Sequence, residues 1–347
     1  MAIRRPMARQ SIFSGELGNR SSALAFWAYL LWGRLSRRHY RKRGKDAFPI
    51  SKQSNTRRVR TIARPRMGAD NLRLAFSDAI KDTRGDHFGA SFLLCHTIVR
   101  VFMGDEWIKK YVNHTTVKKP SIFTQIDSPL LDKHKAITNY TRLAENLYNL
   151  QDNYGFYECI DRLRTGDIDG AFAELEFGGM LRRNKLLFRF VVPSGIMGND
   201  YDIDILHPSG IIICADAKCK IETTAFSRST IETTLGQARK QFPKDRPCMV
   251  FIKIPSSWME IPNWKQELGD AARKFLRARP RFLSVKYYAI HWVMGPRHVT
   301  VRLGYSEVSN VTTTLGNNID WRIFHEEWSG RAPWWQPIVY FPDGRAR

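Results

Sequence analysis

The chain has few cysteines and few acidic residues for its length. The first shortage argues against disulfide and zinc-bound folds, and the second gives the chain a strongly basic balance. Its 347 residues include five cysteines, an odd number with no CxxC pair, which argues against a disulfide framework and a structural zinc site and predicts a reducing, cytoplasmic setting. Acidic residues number 33 against 55 Lys and Arg, a formal charge of +22. The apolar fraction of 43% still supplies a core and argues against global disorder.

Motifs of several protein classes are missing. The nine histidines form no HxH or HExxH spacing, and the sequence has no nucleotide-cradling glycine loop, no nucleophile elbow and no internal repeat. The sequence therefore lacks the motifs that a motor protein, a kinase or a nucleophile-elbow hydrolase requires. The apolar run at 23–32 is shorter than the roughly 20 residues that span a bilayer and has no small-residue cleavage site, so we expect no integral membrane span.

The basic charge is concentrated at the N-terminus. Residues 1–67 hold fourteen Arg and three Lys against Glu16 and Asp46, a balance of +15 that leaves +7 for the rest of the chain. This composition predicts a disordered basic arm that binds phosphate backbones through counterion release. A membrane-surface segment, a targeting peptide and an extension from a misplaced start site are the alternatives.

Together with the basic tail, the pattern of the remaining chain divides the sequence into four regions. Helical periodicity at 71–113 and 128–164 favours a helical region whose apolar faces pack in a core, and contact with substrate or a protein partner is left open as its role. Short β segments and an aromatic set follow residue 294. The predicted boundaries are a tail at 1–67, a helical region at 68–165, an α/β core at 166–296 and a β/aromatic extension at 297–347.

The most informative stretch is 199–220, which alternates with a period of two in two strands. Tyr201, Ile203 and Ile205 are predicted to share one face of the first strand. A Pro-Ser-Gly loop with Gly210 in the left-handed conformation would join the strands as a tight hairpin.

The hairpin register decides which charged residues meet. If His207 pairs with Ile211, then Asp202 lies opposite Asp216, Asp204 lies diagonal to Asp216, and the acids share a face with Lys218. A slip of one residue would turn Asp216 and Lys218 to the apolar side. Clustered carboxylates repel one another by up to about 1 kcal/mol per directly opposed pair, which favours a bound cation. The alternative is a solvated face of mixed charge.

These residues resemble the motif of the PD-(D/E)XK nuclease superfamily, whose fold is restriction-endonuclease-like. The resemblance lies in Asp204, an interval of eleven residues, and then Asp216-Ala217-Lys218 on the adjacent strand. The order of helices and strands over 168–294 fits that family's core, a mixed central sheet flanked by helices. The chain departs from the family's pattern in having Asp rather than the commoner Glu at 216, and Ile rather than Pro at 203.

The resemblance implies a Mg²⁺ site, with Mn²⁺ as a substitute. Asp204 and Asp216 would be ligands together with the carbonyl of Ala217, and Asp202 would be an additional or outer carboxylate. Lys218 would activate water or stabilise the transition state.

Two flanking helices supply further candidates by the same resemblance. A glutamate of the preceding helix would face the metal: Glu174, which has apolar residues three and seven positions later on its own face, or else Glu176. A glutamine of the following helix, Gln241 or Gln237, would assist. For each, an ordinary solvated helix position is the alternative.

The function that this resemblance implies is metal-dependent hydrolysis of phosphodiester bonds, with DNA as the expected substrate. The first alternative is a catalytically inactive nuclease fold that binds nucleic acid or a protein. The second is an unrelated interaction protein with a chance acidic hairpin. Strand form, sequence specificity, endo or exo action and oligomeric state stay open.

Overall fold

The described part of the chain forms an open six-stranded sheet with helices packed against both faces. A computed structural model describes residues 64–113, 123, 129–184, 186–207, 210–294 and 299–310. The predicted mixed α/β architecture is confirmed. The basic tail up to residue 63 and the aromatic part of the C-terminal extension lie outside the described residues.

Helices occupy the first half of the described chain and then alternate with strands. The α-helices are α1 (Ala69–Asp82), α2 (His87–Met103), α3 (Asp105–Ile108), α4 (Pro129–Leu150), α5 (Phe156–Thr165), α6 (Ile168–Arg183), α7 (Arg228–Gln241) and α8 (Trp264–Arg277). A π-helical turn lies at Lys109–Asn113 and a 3-10 helix at Ser256–Glu260.

The sheet follows the order of the sequence. Its strands are β1 (Leu187–Phe190), β2 (Ile203–Leu206), β3 (Ile212–Cys219), β4 (Cys248–Lys253), β5 (Phe282–Met294) and β6 (Val299–Ser309). The pairs β1–β2, β2–β3 and β5–β6 are antiparallel, whereas β3–β4 and β4–β5 are parallel. Each parallel pair is joined by a helical crossover, as parallel strands require.

Alternation along the strands divides the interior into two cores. On one face α4, α5 and α6 pack against residues such as Ala215 and Phe251, and Phe177 of α6 stacks on Phe251 with ring centroids 4.4 Å apart. On the opposite face α7 and α8 cover residues such as Cys214 and Val250. The core made with α4, α5 and α6 is continuous across residue 165, where we predicted the end of the helical region.

Close approach of α6 to the sheet depends on a glycine. A Cβ atom added at Gly178 would lie 2.9 Å from Cζ of Phe190 and 3.1 Å from Cε2 of Phe188, two buried rings of β1. A side chain at residue 178 would therefore push α6 away from β1. The same helix carries both glutamates that the sequence singled out, Glu174 and Glu176.

Candidate functional site

The β2–β3 hairpin has the predicted register. His207 N–H donates to the carbonyl of Ile211 at 2.9 Å, and Asp204 pairs with Cys214. Gly210 has φ of +87°, the left-handed value that the tight turn needs. The even-numbered side chains of β3, including Asp216, therefore face α7.

The predicted alternation fails at the start of β2. Tyr201 was expected beside Ile203 and Ile205, but the chain bends at Asp202, and the Tyr201 ring lies in the core under α7 and α8. There it stacks on Phe242 with ring centroids 6.0 Å apart, while Ile203 and Ile205 face α6. Strand periodicity holds only where the backbone is a strand, and β2 begins at residue 203.

The bend places Asp202 between two other acids. Its carboxyl lies within hydrogen-bonding reach of both Asp216 and Glu174. One of its oxygens, Oδ2, also accepts the backbone N–H of Ala217 at 2.7 Å. Three carboxylates from α6, the bend and β3 thus meet at the end of the β2–β3 pair.

Asp216 is the fully buried member of this cluster. Its Oδ1 accepts from Nζ of Lys218 at 2.9 Å, whereas its Oδ2 has no hydrogen-bond donor among the described residues. Lys218 Nζ also donates to Oε1 of Gln241, the last residue of α7. The lysine is thereby held between the buried acid and the end of the helix.

The electrostatics follow from burial of like charges. Burial raises the pKa of Asp216 well above its usual value, and nearby Asp202 raises it further, against the opposing effect of Lys218. Burial and then Asp202 likewise raise the pKa of Glu174, against Arg162, which forms an ion pair with it. Burial opposes the charged form of Lys218, but the negative charges of Asp216 and Asp202 outweigh burial and raise the pKa of the lysine.

Asp204 has other partners. Arg189 of β1 donates to its Oδ2 from Nε at 2.9 Å and from Nη2 at 2.7 Å, and the Tyr201 hydroxyl donates to its Oδ1 at 2.8 Å. Both carboxylate oxygens are thus engaged, and the side chain is almost fully buried. The structure therefore places Asp202, rather than Asp204, beside Asp216.

The two glutamates of α6 face different surroundings. Glu174 joins the carboxylate cluster, whereas Glu176 is fully buried among Arg142, Lys253 and Tyr288. The Lys253 Nζ lies 2.9 Å from Oε2 of Glu176. Of the two, only Glu174 reaches Asp202.

The two glutamines of α7 also differ. Gln241 contacts Lys218, whereas Gln237 lies exposed one turn earlier. Ala217 is nearly buried in β3, with its N–H turned towards Asp202. The last β2–β3 pair is Ile203 with Ala215, so Ala217 lies beyond the paired part of the hairpin.

The cluster fits a divalent cation in charge and in donor type. Glu174, Asp202 and Asp216 carry three negative charges when ionised, against the positive charges of Arg162 and Lys218. Within the described ranges no group of three or more His, Cys, Asp or Glu side chains is arranged to enclose a metal ion. Mg²⁺ is nevertheless typically held by one or two carboxylates plus water and substrate phosphate. The Asp202–Asp216 pair, with the donor-free Oδ2 of Asp216, matches that requirement.

Three residues that the sequence analysis did not single out as site residues contact the acidic side chains of the candidate site. Arg162 of α5 binds Glu174, and Arg189 and Tyr201 bind Asp204. Arg189 could have been found from the alternation of β1, since it pairs with Asp204 in the antiparallel register. Arg162 has no sequence signal, because its contact depends on how α5 packs against α6.

None of the helices in the described part of the chain is long and apolar enough to cross a membrane. All five cysteines, which lie within that part, are free. Comparison with protein-family models, with curated proteins and with solved structures found no match for this chain.

Proposed function

We propose that this protein is a Mg²⁺-dependent nuclease that hydrolyses phosphodiester bonds in DNA, built on a restriction-endonuclease-like core. The observation that carries the proposal is the fully buried Asp216, which lies against Asp202 and Lys218 and has an Oδ2 without a donor among the described residues. An acid placed in this way is costly to ionise unless a cation compensates it. The order α6, β1, β2, β3, α7 and β4 supports the fold assignment.

Asp202 and Asp216 would hold the cation in this proposal. Glu174 would complete or orient the carboxylate set, and the carbonyl of Ala217 would be a further ligand. Asp204, which the motif spacing marked as a ligand, has a positioning role here. Through Arg189 and Tyr201 it fixes the start of β2 and hence the bend that directs Asp202.

Lys218 would supply positive charge to the reacting phosphate. Asp216 and Gln241 hold its Nζ from two sides, so the ammonium group needs little reorganisation when charge builds up in the transition state. Gln241 would orient the lysine, and Mg²⁺ or Mn²⁺, when bound, would acidify a water molecule and neutralise the scissile phosphate.

DNA is the proposed substrate because of the charge distribution. The balance of +15 over residues 1–67 provides a sequence-independent attraction to a polyanion. We place the protein in the cytoplasm because its five thiols are all free, which suits a reducing compartment.

The test is cleavage of supercoiled plasmid and of a labelled single strand in Mg²⁺, Mn²⁺ or EDTA. The wild type is expected to cut with either metal and not in EDTA. Asp216→Asn should abolish cutting because it removes a ligand charge, and Lys218→Ala should lower the rate by about 10²–10³-fold through loss of transition-state stabilisation.

Matched controls come from a surface pair of the same composition. Asp78 and Lys81 of α1 form an exposed ion pair with Oδ1 and Nζ 3.4 Å apart. Asp78→Asn and Lys81→Ala should leave cleavage within about twofold of wild type, because such pairs contribute little to stability. Absence of metal-dependent cutting by the wild type, with DNA still bound, would replace the nuclease by an inactive nucleic-acid-binding module.

A further inference from the structure

The loop at residues 191–202, which joins β1 to β2, exposes two adjacent apolar side chains at its tip. Ile196 is 56% exposed and Met197 is 82% exposed, the latter the most exposed large apolar side chain in the described part of the chain. A single exposed apolar residue is ordinary. Two neighbours at the tip of a loop that ends in the candidate site need an explanation.

The loop holds its tip outward through its own hydrogen bonds. Oδ1 of Asp200 accepts from the N–H of Ser194 at 2.8 Å, from its hydroxyl at 2.8 Å and from the N–H of Gly195 at 3.0 Å. The Ser194 hydroxyl oxygen in turn accepts the N–H of Ile196 at 3.1 Å. The tip is therefore preorganised, and Ile196 and Met197 do not fold back onto the core.

The loop lies beside the candidate site and among basic residues. Its last residue is Asp202, and a Cβ atom added at Gly198 would lie 3.8 Å from the carbonyl oxygen of Phe242, the residue after Gln241. The chain next to Phe242 carries exposed basic side chains on both sides: Lys240, Lys244 and Arg246. The loop with the apolar tip thus approaches, at Gly198, the segment that carries these cations, and Asp202 and Gln241 of the candidate site border the two segments.

We propose that Ile196 and Met197 form a wedge that enters the base stack of duplex DNA beside the site, an inference that rests on the proposed nuclease function. Proteins that kink a duplex insert apolar side chains, Ile and Met among them, between base steps while cations hold the phosphates. Two side chains are a small area for a protein interface, which buries about 800 Å² per partner. The surrounding positive charge favours the polyanion.

The test uses full-length Asp216→Asn protein, so that no cutting disturbs the measurement, and a duplex with 2-aminopurine at scanned positions. Binding should raise the fluorescence at one step, because the inserted tip unstacks the probe. Adding Ile196→Ser and Met197→Ser should abolish that rise and weaken binding about tenfold. The slope of affinity against salt should stay the same, because apolar contacts release no counterions.

Leu74→Ser is the matched control, because Leu74 is 64% exposed on α1, outside the loop. This substitution should change neither the fluorescence rise nor the binding affinity. An equal fluorescence rise in the serine variants, or no binding at all, would overturn the wedge. So would dimerisation of the parent that the serine substitutions abolish, because the tip would then be a self-association surface. Failure of the nuclease proposal is a separate result: the protein with Asp216 intact fails to cut, while the tip-dependent fluorescence rise persists.

Discussion

Asp202 and Asp204 have different partners because the backbone bends between Tyr201 and β2. Asp202→Asn should abolish metal-dependent cleavage with little loss of stability, since it removes one of three mutually repelling acids. Asp204→Asn should instead lower the free energy of unfolding by about 2–3 kcal/mol, because the buried ion pair with Arg189 loses its charge. Urea denaturation and plasmid cleavage on the same preparations check both results.

One further variant serves as a control for this comparison. Tyr201→Phe removes only the hydroxyl that donates to Asp204, and it should cost about 1 kcal/mol without removing cleavage. If Asp204→Asn proved stable but inactive while Asp202→Asn remained active, the assignment of the two aspartates would be reversed.

The sequence could predict that Asp216 and Lys218 share one face of β3. It could not predict that Asp202 and Asp204 have different partners. Period-two alternation and the register fix the face of every β3 side chain. The position of Asp202 depends on Tyr201 packing against Phe242, a tertiary contact that overrides the local period.

Among the secondary-structure elements, α6 and α7 contain glycines with opposite surroundings. Gly178→Ala should destabilise the protein by about 1–3 kcal/mol, because the new methyl group would meet the buried rings of Phe188 and Phe190. Gly236→Ala in α7 should stabilise it by about 0.5–1 kcal/mol, because nothing lies within 4 Å of the added Cβ. Urea denaturation of both variants checks the prediction, and equal shifts would contradict the close packing of α6 on β1.

The strands β5 and β6 share a buried ion pair between Lys286 and Glu307, which are register partners. Lys286→Met should cost about 3–5 kcal/mol because it leaves a buried carboxylate, whereas Lys286→Met combined with Glu307→Leu should be nearly neutral. Chemical denaturation of the four proteins of this cycle measures the coupling. Additive effects would show that the two side chains act independently.

The same pair predicts a pH dependence. Burial lowers the pKa of Lys286, against the opposing effect of Glu307. The folded chain therefore releases this proton at a lower pH than the unfolded chain, whose lysine pKa is about 10.4. Relative to the double variant, the wild type should gain stability as pH rises towards that value, and a relative loss would contradict the shift.

For the molecule as a whole, the N-terminal charge should govern DNA affinity rather than chemistry. Deleting residues 1–63 removes twelve Arg and three Lys together with Glu16 and Asp46. The slope of log affinity against log salt should fall by several units, at about 0.9 for each phosphate that the protein no longer neutralises. Cleavage at low salt should persist, and binding by fluorescence anisotropy with an unchanged slope would contradict a DNA-binding arm.

The sequence predicted the sheet and its helices well and their packing poorly. The strands β2 and β3 lie within 199–220, where period-two alternation predicts two strands, and the helices α1, α2, α4 and α5 lie where helical periodicity predicts them, at 71–113 and 128–164. One core joins α4 and α5 to the sheet across residue 165. Such packing depends on shape, for which Gly178 against two rings is an example, and periodicity carries no information about it.

The central claim is that Asp202 and Asp216 form a divalent-cation site, and thermal unfolding with and without Mn²⁺ tests it most directly. Wild type should gain about 1.4 kcal/mol at ten times its dissociation constant. Asp216→Asn should unfold at a higher temperature than wild type in EDTA, because a buried charge is gone, and should gain nothing from Mn²⁺. Equal stabilisation of both proteins by Mn²⁺ would contradict the account.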